Sequence, residues 1–233
     1  TALGASYFKT LEDVDVTSFE EVGYCYAKDG RHVYRGEEII DELDPQTFRH
    51  LGNGYYVDKG HVLYASEEIL GADPLTFTVL PGNYYTKDGS RAYYSGKALE
   101  GVDVPTFQSA KGIEYAWDMN HVYYADRVIP GAEPKSFHFL EPISFYAYTY
   151  DADQVFAHDT WLQNLDAANF RRVGNSEYLR DGDSLYYIDN EVIGVDIDSF
   201  QTAPIYKKST DGTGSFSRSD CGTDGKVVVC YGK

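Results

Sequence analysis

Residues 84–99 read Tyr84-Tyr85-Thr86-Lys87-Asp88-Gly89-Ser90-Arg91-Ala92-Tyr93-Tyr94-Ser95-Gly96-Lys97-Ala98-Leu99. Tyr84-Tyr85-Thr86 is a short β-prone run, Lys87-Asp88-Gly89-Ser90 is a turn, and Arg91-Ala92-Tyr93-Tyr94 returns as a second strand. Asp-Gly marks a hairpin because glycine accepts positive φ at little cost. Ser95-Gly96 turns the chain again, and Lys97-Ala98-Leu99 can pair as a third strand. Gly101 then breaks the run, and Asp103 can cap one helical turn before Phe107. In sister stretches Pro45, Pro74 and Pro134 directly follow Asp44, Asp73 and Glu133, an acidic cap with proline at the first helical position. The stretch predicts a hairpin or three-stranded meander plus one helical turn.

That pattern recurs along the chain. Phe19, Phe48, Phe77, Phe107, Phe137, Phe170 and Phe200 stand at spacings of 29, 29, 30, 30, 33 and 30. Four residues before each stands an acid: Asp15, Asp44, Asp73, Asp103, Glu133, Asp166 and Asp196. Eight before is an aliphatic residue: Leu11, Ile40, Ile69, Leu99, Ile129, Leu162 and Val192. Nineteen before is Asp29, Asp58, Asp88, Asp118, Asp151 or Asp181, and twenty-two before is Tyr26, Tyr55, Tyr85, Tyr115, Tyr148 or Tyr178. One unit buries too little apolar surface to stand alone, so stacking must supply the core. The phenylalanine, the aliphatic residue and the tyrosine of each unit are the expected core ladders. Strand alternation sends one ring of each Tyr-Tyr pair outward. This predicts Tyr64, Tyr94, Tyr124 and Tyr187 as an exposed aromatic row.

The runs Asp58-Lys59-Gly60-His61-Val62-Leu63-Tyr64 and Asp118-Met119-Asn120-His121-Val122-Tyr123-Tyr124 resemble the bacterial DKNYY repeat family. The Asp-Pro-x-Thr-Phe runs at Asp44 to Phe48 and Asp73 to Phe77 fit it as well. The resemblance covers roughly residues 7–212. It supplies no catalytic residues, and it implies a place outside the bacterial cytoplasm.

The expected fold is therefore all-β, an array of about seven 30-residue meander repeats in an elongated, solenoid-like stack. A small closed β-propeller is the alternative. Residues 1–19 hold a half unit, 20–200 six full units, and 201–212 a second half unit in which Ile205-Tyr206-Lys207-Lys208 precedes Asp211-Gly212. Residues 213–233 read as a divergent C-terminal hairpin cap. The complementary halves can be fraying caps, the two parts of one closing blade, or a head and tail that complete one another between chains. Cys221 and Cys230 stand on the two arms of the terminal hairpin and are candidates for a disulfide. Free thiols are the alternative, since the spacing fits no metal finger. Cys25 reads as a small buried residue.

Composition sets outer bounds. The chain has 233 residues with Asp+Glu 37 against Lys+Arg 20, a formal net charge of −17. That balance argues against nucleic acid, whose phosphates demand Lys and Arg, and against anionic lipid. No apolar run approaches about 18 residues, so no membrane span is expected. A first residue of Thr fits a processed secreted chain or a trimmed one.

No catalytic constellation stands out: there is no Gly-x-Ser-x-Gly, His-Glu-x-x-His or phosphate loop. His32, His61 and His121 share a repeat position that elsewhere holds Arg91, Gln154 and Ser184, so they read as strand or surface residues. The turn aspartates read as caps of their own backbone, because the calcium pattern needs a closing Glu that is absent. No cofactor and no metal is expected. The expectation is a non-catalytic, extracytoplasmic structural or interaction protein. Its partner is a protein, including a further copy joined head to tail into a filament. The alternative is a glycan- or protein-binding surface made by Tyr64, Tyr94, Tyr124, Tyr187, Trp117 and Trp161.

Overall fold

A computed structural model describes residues 14–82, 84–140, 148–174, 176–208 and 216–231, with backbone alone between 203 and 220. Leu11 and Asp211-Gly212 lie outside the described residues. The chain divides into two units, 1–118 and 119–233.

The repeat is a four-stranded antiparallel meander. In the stretch that opened the sequence reading, Tyr85–Lys87 pairs with Ala92–Tyr94, and Ala92–Tyr94 pairs with Lys97–Ala98. A strand the sequence did not announce, Thr78–Val79, flanks Tyr85–Lys87 on the other side. The first unit contains two more such sheets, over Glu20–Ile39 and Arg49–Glu68, and the pair Gln108–Ser109 with Tyr115–Trp117. The second unit contains the pair Val122–Tyr124 with Arg127–Val128 and the four-stranded sheets over His138–Trp161 and Arg171–Glu191. It ends in a three-stranded sheet of Gln201–Lys208, Phe216–Thr223 and Val228–Cys230.

The expected helical turn is shorter than a helix. Its signature is one or two backbone bonds, as from Ser18 N to Asp15 O or from Thr47 N and Phe48 N to Asp44 O. Among the described residues it lengthens into a 3-10 helix only at Pro134–Ser136. The next strand begins at once after each phenylalanine, which leaves no room for a second turn.

The core ladders hold. Tyr26, Tyr55, Tyr85, Tyr115, Tyr148 and Tyr178 are each at most 1% exposed. Phe48 packs between the rings of Tyr26 and Tyr56, at centroid distances of 5.3 and 5.7 Å. Phe77 sits likewise between Tyr55 and Tyr93. Ile69, Leu99, Ile129, Leu162 and Val192 are buried beside them. Removing each such side chain from water contributes about 1.5–3 kcal/mol. Phe19 is the exception at 43% exposed, and Phe137 and Phe170 are half-buried.

Stacking within each unit is also polar. Five core tyrosine hydroxyls reach a later repeat. Tyr26 donates to Ala65 O, Tyr85 to Glu114 O, and Tyr178 to Val229 O. Tyr55 Oη accepts from Gly96 N, and Tyr148 Oη accepts from Ile188 N. The ring thus fills the core while its hydroxyl satisfies a backbone group that would otherwise be buried unpaired.

The C-terminal end differs from the sequence reading. Residues 201–208 and the hairpin beyond them are one sheet, in which Gln201 pairs with Thr223 and Cys221 with Cys230. Asp224-Gly225 makes its hairpin turn, so Gln201–Lys208 has its sheet partner within this chain. Counting back three residues from Asp224 reaches Cys221, the place that Tyr85 holds relative to Asp88. Cys230 likewise stands where Tyr94 stands. The Cys221–Cys230 disulfide therefore occupies the cross-strand position of the pairs Tyr55–Tyr64, Tyr85–Tyr94 and Tyr178–Tyr187. Cys25 is exposed and free rather than buried, because it lies in the turn before Tyr26, where its carbonyl accepts from Gly36 N.

Candidate functional site

The turn aspartates form a ladder with one repeated geometry. Asp88 Oδ1 accepts from Ser90 N at 2.7 Å and Arg91 N at 2.8 Å, capping its own hairpin. Its Oδ2 accepts from Asp73 N at 3.1 Å and from the Tyr93 hydroxyl at 2.6 Å. The second link ties the hairpin to the turn before the sheet. It recurs in the first unit as Asp15 N to Asp29, Asp44 N to Asp58 and Asp103 N to Asp118. In the second unit it recurs as Glu133 N to Asp151, Asp166 N to Asp181 and Asp196 N to Asp224.

Burial by itself would hold the Asp88 proton on. The Tyr93 hydroxyl and the N–H groups of Ser90, Asp73 and Arg91 outweigh it and bring the carboxyl down to about 2. Asp29 and Asp58 are lowered in the same way against their burial. Asp224 falls to about 2 through the N–H groups of Asp196, Val227 and Lys226. These carboxylates are fixed in the charged form, and their oxygens are spent on the fold. His61 and His32 follow such turns: each donates its backbone N–H to the aspartate three residues earlier, and the His61 ring nitrogen Nδ1 lies 3.0 Å from Asp58 Oδ1. Among the described residues no group of three or more His, Cys, Asp or Glu could hold a metal ion. None of their helices is long and apolar enough to cross a membrane.

The aromatic row is not the exposed surface that alternation predicts. Tyr64, Tyr94 and Tyr124 are half-buried, and Tyr187 is buried at 6% exposed. The reason is cross-strand pairing. Tyr64 packs on Tyr55 at 4.7 Å, Tyr94 on Tyr85 at 5.2 Å, and Tyr187 on Tyr178 at 4.8 Å. Trp117 is half-buried in a strand opposite Gln108, and Trp161 is 45% exposed opposite Phe156.

Two of the row, Tyr64 and Tyr94, do meet. In the first unit they line a cleft of about 400 Å³ with Asn53, Tyr55, Gly82, Tyr84, Ser95 and Glu114. The Tyr94 hydroxyl donates to Glu114 Oε1 at 2.8 Å. Glu114 Oε2 has no partner among the described residues. Tyr84 is 38% exposed. No Lys, Arg or His lines the cleft. Tyr84 and Glu114 were missed from sequence, because both precede a core tyrosine at a position where residue type varies: Cys25, Gly54, Tyr84, Glu114 and Glu177.

The DKNYY family model matches residues 4–67, 66–127 and 85–220. The chain belongs to the DKNYY family. Comparison with curated proteins and with solved structures finds no match. The three matched stretches overlap, as a repeat recurring through the chain requires, and they reach into the C-terminal sheet. The family carries no residue roles to this chain, so the aspartate ladder and the cleft are what it offers for function.

Proposed function

We propose that this DKNYY protein is a non-catalytic, extracytoplasmic interaction module, a stack of small sheets that displays recognition surfaces between repeats. The observation that carries the reading is the aspartate ladder. Catalytic acids and bases need protonation states that can change near the working pH. The strongly perturbed carboxylates here are instead locked ionised by backbone donors. The Cys221–Cys230 bond supports an oxidising location, where such bonds persist. The test is native electrophoresis and cross-linking of the protein from its own cells after fractionation, with thiol trapping. A discrete assembly larger than one chain, in an extracytoplasmic fraction with Cys221–Cys230 oxidised, is the expected result. A free monomer in the reduced cytosolic fraction would overturn the reading.

A further inference from the structure

Glu114 and Glu177 occupy the same place in their repeats, each directly before a core tyrosine. At Glu177 the junction is filled. Arg172 pairs with it at 2.8 Å and places its guanidinium 5.4 Å over the ring of Tyr148, the core tyrosine of the preceding repeat. A cation over a tyrosine face beside a carboxylate is a favourable arrangement, because ring quadrupole and anion act on the same charge. Arg172 is the second residue after its phenylalanine, Phe170. The corresponding residue at the Glu114 junction is Ser109, two after Phe107. Its short side chain donates to Pro81 O at 2.7 Å and carries no charge. The Glu114 junction thus has the carboxylate and the tyrosines but not the cation.

A second junction makes the same point. Tyr64 and Tyr94 stand six residues after the turn aspartates Asp58 and Asp88, and Arg35 stands six after Asp29. Arg35 donates to Ser66 O and pairs with Glu38, so the chain again supplies its own cation. At Tyr64 and Tyr94 tyrosines stand instead, and the cleft lies beside them.

We propose that the cleft of Tyr64, Tyr84, Tyr94, Ser95 and Glu114 binds a small organic cation, a guanidinium or alkylammonium group that pairs with Glu114 as Arg172 pairs with Glu177. Tyrosine faces supply the attraction to a soft, weakly hydrated cation. The Tyr94 hydroxyl orients Glu114 and adds electron density to its own ring by donating to the carboxylate. Glu114 Oε2 is the acceptor for an N–H where the ligand has one. A cleft of about 400 Å³ is within the range that holds small ligands. The lining has no cation to meet a phosphate or a carboxylate. This inference is independent of the proposed role as an interaction module, since it concerns one cleft whatever the assembly does.

The test is titration of the full chain with methylguanidinium and with choline, followed by ligand-observed NMR. The neutral isostere of choline, 3,3-dimethyl-1-butanol, is the control. Saturable binding of at least one cation is expected, with the isostere about tenfold or more weaker. Glu114→Gln and Tyr84→Ala should each weaken it about tenfold, and Glu100→Gln, which removes the same charge from an exposed site, should not. Ser109→Arg should abolish it by supplying the missing guanidinium from the chain. Circular dichroism of each variant checks folding. Equal binding of the isostere would overturn the proposal. So would a Glu100→Gln effect equal to that of Glu114→Gln, which would mean general attraction to an acidic surface. Absence of saturation by both cations would overturn it as well.

Discussion

Asp88→Asn isolates the ladder. The amide keeps Oδ1, so Ser90 and Arg91 remain capped. At the other position an NH2 group now faces two donors, Asp73 N–H and the Tyr93 hydroxyl. The hydroxyl can rotate and accept, but the backbone N–H cannot. Losing a charge-assisted bond and stranding a donor costs about 2–4 kcal/mol. The pH dependence separates charge from geometry. The carboxyl drops from its ordinary 3.8 to about 2 on folding, which at about 1.36 kcal/mol per unit gives at most about 2 kcal/mol. Solvent beside the turn screens this to about 1–2 kcal/mol. Because the folded value is the lower one, this part is present above pH 3.8 and is lost as pH falls towards 2. Urea unfolding followed by circular dichroism at pH 7, 4 and 2 should show a wild-type advantage that shrinks through that window. A gap unchanged between pH 7 and pH 2, or no gap at pH 7, would refute the reasoning.

Three further outcomes follow from the packing. Gly96→Ala should destabilise by about 2 kcal/mol in the same urea assay, since its Cβ would lie 2.8 Å from Tyr64 Cβ and its φ is +81°; an unchanged midpoint would show that this contact relaxes freely. Tyr148→Phe should cost about 1–3 kcal/mol by stranding Ile188 N–H, and a cost below about 0.5 kcal/mol would mean the hydroxyl link carries nothing. Cys221→Ser with Cys230→Ser should cost about 2–3 kcal/mol. It should lower hydrogen-exchange protection at Val228–Cys230 and leave Tyr148–Tyr150 protected; equal loss at both would refute a local role for the bond.

The repeat and its core were readable because one residue type recurs where one physical demand recurs. The core tyrosine must fill space and reach a backbone group, and six positions all answer with Tyr. The turn aspartate must accept the backbone N–H of the turn before the sheet, and six positions answer with Asp. The strand after each phenylalanine escaped notice because its residues share no type: Arg49-His50, Thr78-Val79 and Gln108-Ser109. The aromatic row misled because alternation describes a lone strand. Here the second tyrosine has a neighbour across the ladder, and Tyr187 is covered by Tyr178. The C-terminal hairpin and its disulfide were legible, but that Gln201–Lys208 joins them in one sheet was hidden because the cysteines hold positions that earlier repeats give to tyrosine. The cleft was half legible: Tyr64 and Tyr94 were singled out, but Glu114 acquires meaning only beside Glu177 and its arginine.

The disulfide at the tyrosine position has a consequence for how such chains change length. The repeats of Tyr26, Tyr55, Tyr85, Tyr148 and Tyr178 each bond a hydroxyl to a later segment. Cys221 and Cys230 close on each other and ask nothing of a following unit. The covalent clasp can thus follow any number of copies. Duplication or loss of a 30-residue segment upstream would shift its place in the chain without altering its job. The number of repeats before the clasp is in that sense a free variable.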